Sequence, residues 1–330
     1  MDNLLNSGLQ IILWFQSIGA WLTPVMRLFT FLGNEQFFLL IAPAILWCID
    51  APLGLRLGLF LMINGMVNTA LKVAFHGPRP YWYSSNVKVL GSAENSFGVP
   101  SGHSQNGVVV WGTLADRIKH RTAWIIVIVV MFLIGISRIY LAVHFPQDVL
   151  LGWLIGAIML WILLRFERPV LNWIKQYQTS TQLLMIFLFS LLLILIVIIA
   201  QLSLRGWSLP MDWVNNAHLA FPNDPEINPL SYHNFLSGTG AFFGLAAGWI
   251  WISKLGGFST NGTWLKLVIR YLLGLIGVLI LYLGLGSLFP DSETFISYSI
   301  RYIRYALIGF WISGFAPWLF VRLKLASHLK

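Results

Sequence analysis

Long apolar runs recur along this chain at close to the length of a bilayer crossing, and nothing else in it restricts the fold so strongly. A helix needs about 20 residues to traverse the hydrocarbon core. Runs approaching that length lie at 35–49, 54–75, 102–116, 123–141, 146–165, 182–203, 235–253, 265–288 and 298–321. A further segment, 4–32, has mixed polarity and is interrupted by Pro24 and Arg27, so it suits either a crossing or the interface. The expected fold is all-α, a polytopic transmembrane helical bundle of about nine or ten spans. Charge supports this: 10% of the residues are charged and 57% hydrophobic, where a soluble domain carries about 25% charge.

The formal net charge of +9 invites a nucleic-acid reading, but the basic residues are scattered in short loops between apolar runs. That pattern fits topology signals and anionic membrane lipid, so no nucleic-acid partner is expected. Cys48 is the only cysteine, which excludes an intrachain disulfide and a cysteine-only metal cluster. The N-terminus has neither a basic leader nor a small-residue cleavage site, so no cleavable signal peptide is expected.

Lys/Arg asymmetry orients the spans. One side carries Arg56, Arg117, Lys119, Arg121, Arg165, Arg168, Lys175, Lys254, Arg322, Lys324 and Lys330, and is expected to be cytoplasmic. The opposite side mixes Lys72, Arg79, Lys88, Arg138 and Arg205 with Asp212, Asp224, Glu226, Asp291 and Glu293. That second face is expected to point outward.

Three segments bring chemistry to the outward face. "KVAFHGPRP" places Lys72 at a helix end and Arg79 seven residues on; "PSGH", 100–103, opens a helix; "SRIYLAVHFPQD", 137–148, closes one helix and starts the next. Lys72, Arg79 and Arg138 supply fixed positive charge, and arginine holds phosphate oxygens in pairs. Ser101, with the amides of Gly102 and His103, stands at a helix N-terminus that favours an anion. Pro146 suits a first helical turn, and His144 and Asp148 at i,i+4 share a face. An Asp accepting from one imidazole nitrogen leaves the other free to attack. His103 can then protonate a leaving oxygen. An anion cradle, a nucleophile with its orienting acid, and a proton donor together point to phosphoryl transfer.

K-x6-RP, PSGH and SR-x5-H-x3-D, in that order, resemble the three-part signature of the type 2 phosphatidic acid phosphatase family across roughly residues 36–165. Each motif is weak by itself, whereas the ordered triple is specific. The resemblance implies an integral-membrane lipid phosphatase in which the third-motif histidine, His144, becomes a phosphohistidine. It implies no metal and no cofactor, Asp148 as orienter, His103 as general acid, and Lys72, Arg79, Ser101, Gly102 and Arg138 as phosphate-binding positions. The implied substrates are lipid phosphomonoesters or isoprenyl diphosphates, and the implied setting is a prokaryotic plasma membrane with the site outward. Transfer to an acceptor other than water is the nearest alternative. A lipid-binding or transport protein is a further one, although binding alone requires neither a nucleophile nor an acid.

Simpler readings exist for single residues. Lys72 or Arg138 alone would be a snorkelling anchor, Ser101 an ordinary N-cap and His144 a packed interfacial histidine. His76 and Tyr81 flank the first motif and either shape a headgroup pocket or merely pack. His120 reads as a solvated loop residue. The 205–234 loop, with His218 and several acids, reads as an outer lid.

The expected organisation is a phosphatase-like catalytic bundle over 1–165, an amphipathic cytoplasmic linker over 166–181, and an additional four-helix membrane module over 182–330. "PSGHSQNGVVVWG" is echoed by "LSGTGAFFGLAAG", and "HFPQD" by "LFPDS". In that register Thr239 replaces His103 and Leu288 replaces His144, as in a catalytically dead copy. Such short matches come cheaply in apolar sequence, and chance recurrence weighs slightly more. Arg301 and Arg304, a turn apart in the last span, read either as ion-pair partners of Asp291 or Glu293 or as a second anion contact.

Overall fold

In lipid a segment must bond its own backbone internally, and the apolar runs do so as helices. The computed structural model describes residues 2–289 and 292–329. In chain order the helices are α1 (Asp2–Ser17), α2 (Thr23–Leu32), α3 (Glu35–Cys48), α4 (Ala51–Phe75), α5 (Pro80–Tyr83), α6 (Gly102–Ile118), α7 (Arg121–Tyr140) and α8 (Pro146–Ile174). They continue with α9 (Thr179–Leu202), α10 (Met211–Ala220), α11 (His233–Lys254), α12 (Trp264–Leu279), α13 (Leu285–Leu288), α14 (Phe295–Phe310) and α15 (Ala316–Arg322). Short π-helical stretches join α12 to α13 and α14 to α15, and no strand occurs among the described residues.

Among the described residues, seven helices are long and apolar enough to cross a bilayer, or up to eight if one bent pair counts as a span. The expected nine or ten spans included two that are too short by this measure. α3 has 14 residues and α6 has 17, which gives about 21 and 26 Å against a core of about 30 Å. The segment 4–32 resolves into two helical pieces bent by 88°, hinged beside Gly19, whose φ of 124° favours glycine. The linker expected at 166–181 begins as a continuation of α8. Pro169 lies inside that helix and removes one backbone donor without ending it.

The chain divides into two compact units that interleave in sequence: Met1–Phe38, Val67–Leu163 and Val197–Ser231 in one, Leu39–Met66, Leu164–Ile196 and Tyr232–Lys330 in the other. In the first, α7 packs on α2 and α6, and α10 packs on α5. Its core includes Tyr81, Trp82, Phe97, Tyr140, Leu141 and Val143. Small residues on α8 let it approach α6: a Cβ on Gly152 would lie 2.7 Å from Ser101 O, and one on Gly156 would lie 2.9 Å from Gln105 O. The expected lid is ordered here as α10, where Asn216 Nδ2 donates to Trp82 O at 3.0 Å.

In the second unit α11 and α14 make the main helix pair. Gly240, Gly244 and Gly248 of α11 face the backbone of α14 and the π turn after it, and Gly309 of α14 faces back. This is small-residue packing of the kind that brings helices together in lipid, where hydrophobic burial no longer distinguishes the interface. The echoed Ser237 lies inside α11 and donates to His233 O at 2.8 Å, whereas Ser101 caps α6.

Arg301 donates through Nε to His233 O at 3.0 Å and Ser237 Oγ at 2.9 Å, and Arg304 lies over the Tyr282 and Tyr305 rings. Of the acids expected to pair with them, Asp291 lies outside the described residues, as does Lys330. Glu293 meets His233 at 3.5 Å and accepts from the Tyr298 hydroxyl.

Arg270 is fully buried in the same unit. It donates to the carbonyls of Leu325, Trp47, Thr260 and Asn261 and so ties three chain segments to one guanidinium. Arg270→Met keeps the bulk and removes the donors. It is expected to cost about 3 kcal/mol or more, because four carbonyls, in buried or part-buried hydrogen bonds, lose a charged donor at once. The check is the melting temperature of the detergent-solubilised protein.

Candidate active site

The α6 N-terminus is built by Ser101, whose Oγ accepts from Ser104 N at 3.4 Å, satisfying one of the orphan amides of a helix start. Pro100, which precedes it, follows a cis peptide bond. Asn68 of α4 braces the turn, donating to Pro100 O at 3.3 Å and Gln105 Oε1 at 2.8 Å. The third segment is attached through the main chain: Ser101 N donates to Asp148 O at 2.9 Å. The first segment is tied in by Gly98 N, which donates to Gly77 O at 2.9 Å.

The eight residues singled out by sequence therefore lie in one compact unit. Lys72 donates to Phe97 O. Arg79 has no measurable exposure and is fixed by Ser96 O at 2.7 Å, Val143 O at 3.0 Å and Ser96 Oγ at 3.0 Å. Arg138 donates to Thr30 Oγ1 at 2.6 Å and to Glu94 Oε1 at 2.5 Å. Burial, then Arg138, hold the pKa of His103, on the first turn of α6, down to about 3, so its ring is neutral while no bound anion occupies the cluster. Gly102 leaves room beside Asn68, since a Cβ there would be 3.1 Å from Asn68 Oδ1.

His144 sits at the centre. Its Nδ1 faces Asp148 Oδ2 at 3.3 Å, and its Nε2 is 3.2 Å from Arg79 Nη1. A guanidinium only donates, so Nε2 is the accepting nitrogen and Nδ1 carries the proton towards Asp148. The same Oδ2 accepts from Phe145 N at 2.9 Å and so pins the carboxylate to the turn before α8. Burial, then Arg79, Lys72 and Arg138, hold the His144 pKa well below the ordinary histidine value. The imidazole is thus neutral at physiological pH, with a lone pair on Nε2.

Sequence reasoning missed the members that complete the cluster. Glu94 bridges the two arginines, its Oε2 lying 3.3 Å from Arg79 Nη2. Burial alone would raise its pKa, but Arg79 and Arg138 hold it well below the usual carboxylate range. Ser96, Thr30 and Asn68 position the cations and the turn. Glu94 had one available signal: it is the sole acid between Asp50 and Asp116, in a stretch that carries the first-motif cations. Of the ambiguous residues, Tyr81 hydrogen-bonds the Glu94 backbone. His76 stacks edge-on with Trp207 at 5.4 Å. His120, expected to be merely solvated, caps α7 by accepting from Thr122 N at 3.3 Å.

Residues 53–171 match the PAP2 superfamily, and residues 236–328 match the family described as PAP2 superfamily phosphatase, transmembrane extension. The chain is 31% identical to phosphatidylglycerophosphatase B of Bacillus subtilis (strain 168), over 46% of this chain and 77% of that one. The chain belongs to the PAP2 superfamily. It is an integral-membrane member, by its apolar helices and its match to the transmembrane extension. Among other PAP2-related proteins, human glucose-6-phosphatase 3 is 28% identical over 49% of this chain, and the match spans 54% of that protein's length. Human glucose-6-phosphatase 2 is 24% identical, with 96% of both chains covered. A crystal structure of a PAP2-type phosphatidylglycerolphosphate phosphatase from Bacillus subtilis aligns at a TM-score of 0.44 and 28% identity, over 52% of this chain and 89% of that one.

Proposed function

We propose that this PAP2 member is a lipid phosphatase that hydrolyses a phosphomonoester or isoprenyl diphosphate through a phosphohistidine on His144, without a metal. The observation that carries the reading is the state of His144: one nitrogen faces Asp148, and the other is an acceptor within a cluster of Lys72, Arg79 and Arg138. A neutral imidazole so placed is a nucleophile, and the surrounding cations stabilise a phosphoryl group as charge develops on its oxygens.

In the first half-reaction the Nε2 lone pair attacks phosphorus, the bond to the leaving oxygen breaks, and His103 delivers a proton to that oxygen. His103 takes up that proton from solvent once the phosphate's negative charge offsets the neighbouring cations. Asp148 stabilises the Nδ1 proton of the phosphoimidazole. In the second half-reaction His103 takes a proton from water, whose oxygen attacks phosphorus; the N–P bond breaks and inorganic phosphate leaves. Lys72, Arg79 and Arg138 hold the non-bridging oxygens throughout, with the α6 amides at Gly102 and His103 as neutral donors. Ser101 contributes by capping that helix. The Lys/Arg asymmetry supports an outward-facing site in a plasma membrane.

The test is phosphate release by the purified protein from a panel of lipid phosphates and diphosphates, in excess chelator. Chelator-resistant turnover is expected. Silence from folded protein would sink the hydrolase reading in favour of a transferase or a binder. The match along nearly the full length to glucose-6-phosphatase 2 supports a second reading, a sugar phosphate in place of the lipid, so glucose 6-phosphate belongs in the panel.

Asp148→Asn tests the orienting role separately. The amide keeps the shape but cannot hold the Nδ1 proton as a carboxylate does, so kcat is expected to fall roughly 10⁴-fold. KM should change little, because Asp148 does not touch the substrate. Steady-state kinetics on the best panel substrate decides.

A further inference from the structure

Glu94 engages the two arginines proposed to hold the substrate's phosphate. Its two oxygens are divided between the arginines, Oε1 on Arg138 Nη2 and Oε2 on Arg79 Nη2. This is the grip that the same guanidinium groups would give a phosphate, and two anions cannot use the same donors at once. Locally the residue is held through its main chain: Glu94 N donates to Tyr81 Oη at 3.0 Å, and that hydroxyl donates to Glu94 O at 3.2 Å. Those bonds fix the backbone and leave the side chain its torsions. The side chain also borders open space, a cavity of about 220 Å³ lined by Tyr81, Glu94, His218, Asp224 and Glu226 among others. His218 offers a donor to a carboxylate that swings there, while Asp224 and Glu226 repel it back towards the arginines once they are vacant.

We propose that Glu94 is an internal competitor for the phosphate-binding arginines. It holds them in the empty protein, swings towards the cavity when a phosphate enters, and returns to displace the inorganic phosphate product. The inference rests on the reading of Arg79 and Arg138 as the phosphate cradle. Its consequence is a uniform reduction in affinity for every anion, by the fraction of molecules in which the arginines are free. Weakly held anions, including product, are kept out, and a substrate with tail contacts outside the cradle still binds.

Orthophosphate is the probe, used as an inhibitor of turnover on the best panel substrate. Glu94→Gln is expected to lower its inhibition constant about tenfold or more, the scale of one charge-assisted contact, with KM falling in parallel. An unchanged or higher constant in folded E94Q overturns the competitor role and leaves Glu94 a positioning group for the arginines. If the wild type turns over its substrate and orthophosphate inhibits neither form, the cradle assignment falls and the proposal falls with it. A second measurement keeps the native Glu94. An environment-sensitive fluorophore on Ala93→Cys, in a Cys48→Ser background, is expected to respond to orthophosphate with half-saturation at the inhibition constant. A silent reporter at inhibitory orthophosphate also overturns the proposal.

Discussion

His144→Ala is expected to reduce phosphate release at least about 10⁴-fold, the scale on which covalent catalysis fails when its nucleophile is removed. The cradle remains in the variant, so substrate binding should persist while the N–P bond cannot form. The surrounding backbone does not depend on the imidazole: Val143 N and His144 N both donate to Arg138 O, and Asp148 N donates to Phe145 O. Acid-quenched or base-quenched reactions with substrate carrying radioactive phosphate separate the possibilities. Label should remain on the wild-type chain in base, be lost in acid, and be absent from H144A under both conditions. Protein-bound label in folded H144A would assign the nucleophile elsewhere.

The second large effect is structural. A Cβ on Gly244 would lie 1.9 Å from Ala306 O and 2.8 Å from Phe310 N, both backbone atoms of the facing helix. No rotamer change relieves a clash with a main chain, so Gly244→Leu has to push α11 and α14 apart. Overpacked side chains cost about 1–3 kcal/mol where neighbours can shift, and more is expected here. Separation also exposes the Gly240 and Gly248 contacts on either side. The measurement is the melting temperature and size-exclusion profile in detergent, with Gly65→Ala as control. A Cβ at Gly65 meets nothing within 4 Å, so that change should be close to neutral.

The three motifs were legible because their residues are scarce in an apolar chain and their spacing follows helix geometry. His144 and Asp148 sit at i,i+4 across the start of α8, and that interval alone foretold a shared face. Glu94 was hidden because its meaning comes from two arginines 15 and 44 residues away. No local pattern encodes that meeting. The count of nine or ten spans exceeds the seven or eight described helices long enough to cross because it admitted the runs at 35–49 and 102–116, which are short of a bilayer's length already in the sequence. α6 begins only at the Ser101 cap and ends at Lys119, which takes a left-handed φ of 56°. Arg270 was likewise unremarkable in sequence, since its partners are backbone carbonyls that any residues provide.

The bond from Ser101 N to Asp148 O, and the other main-chain ties between the motifs, make the site a stitched frame into which the reactive side chains are set. A frame of that kind keeps its shape when a side chain is deleted. An inactive H144A protein is therefore a bait: drawn from native membranes, it should retain the molecule it can no longer cleave. Mass spectrometry of what leaves with it under denaturation then reads the natural substrate directly, tail included.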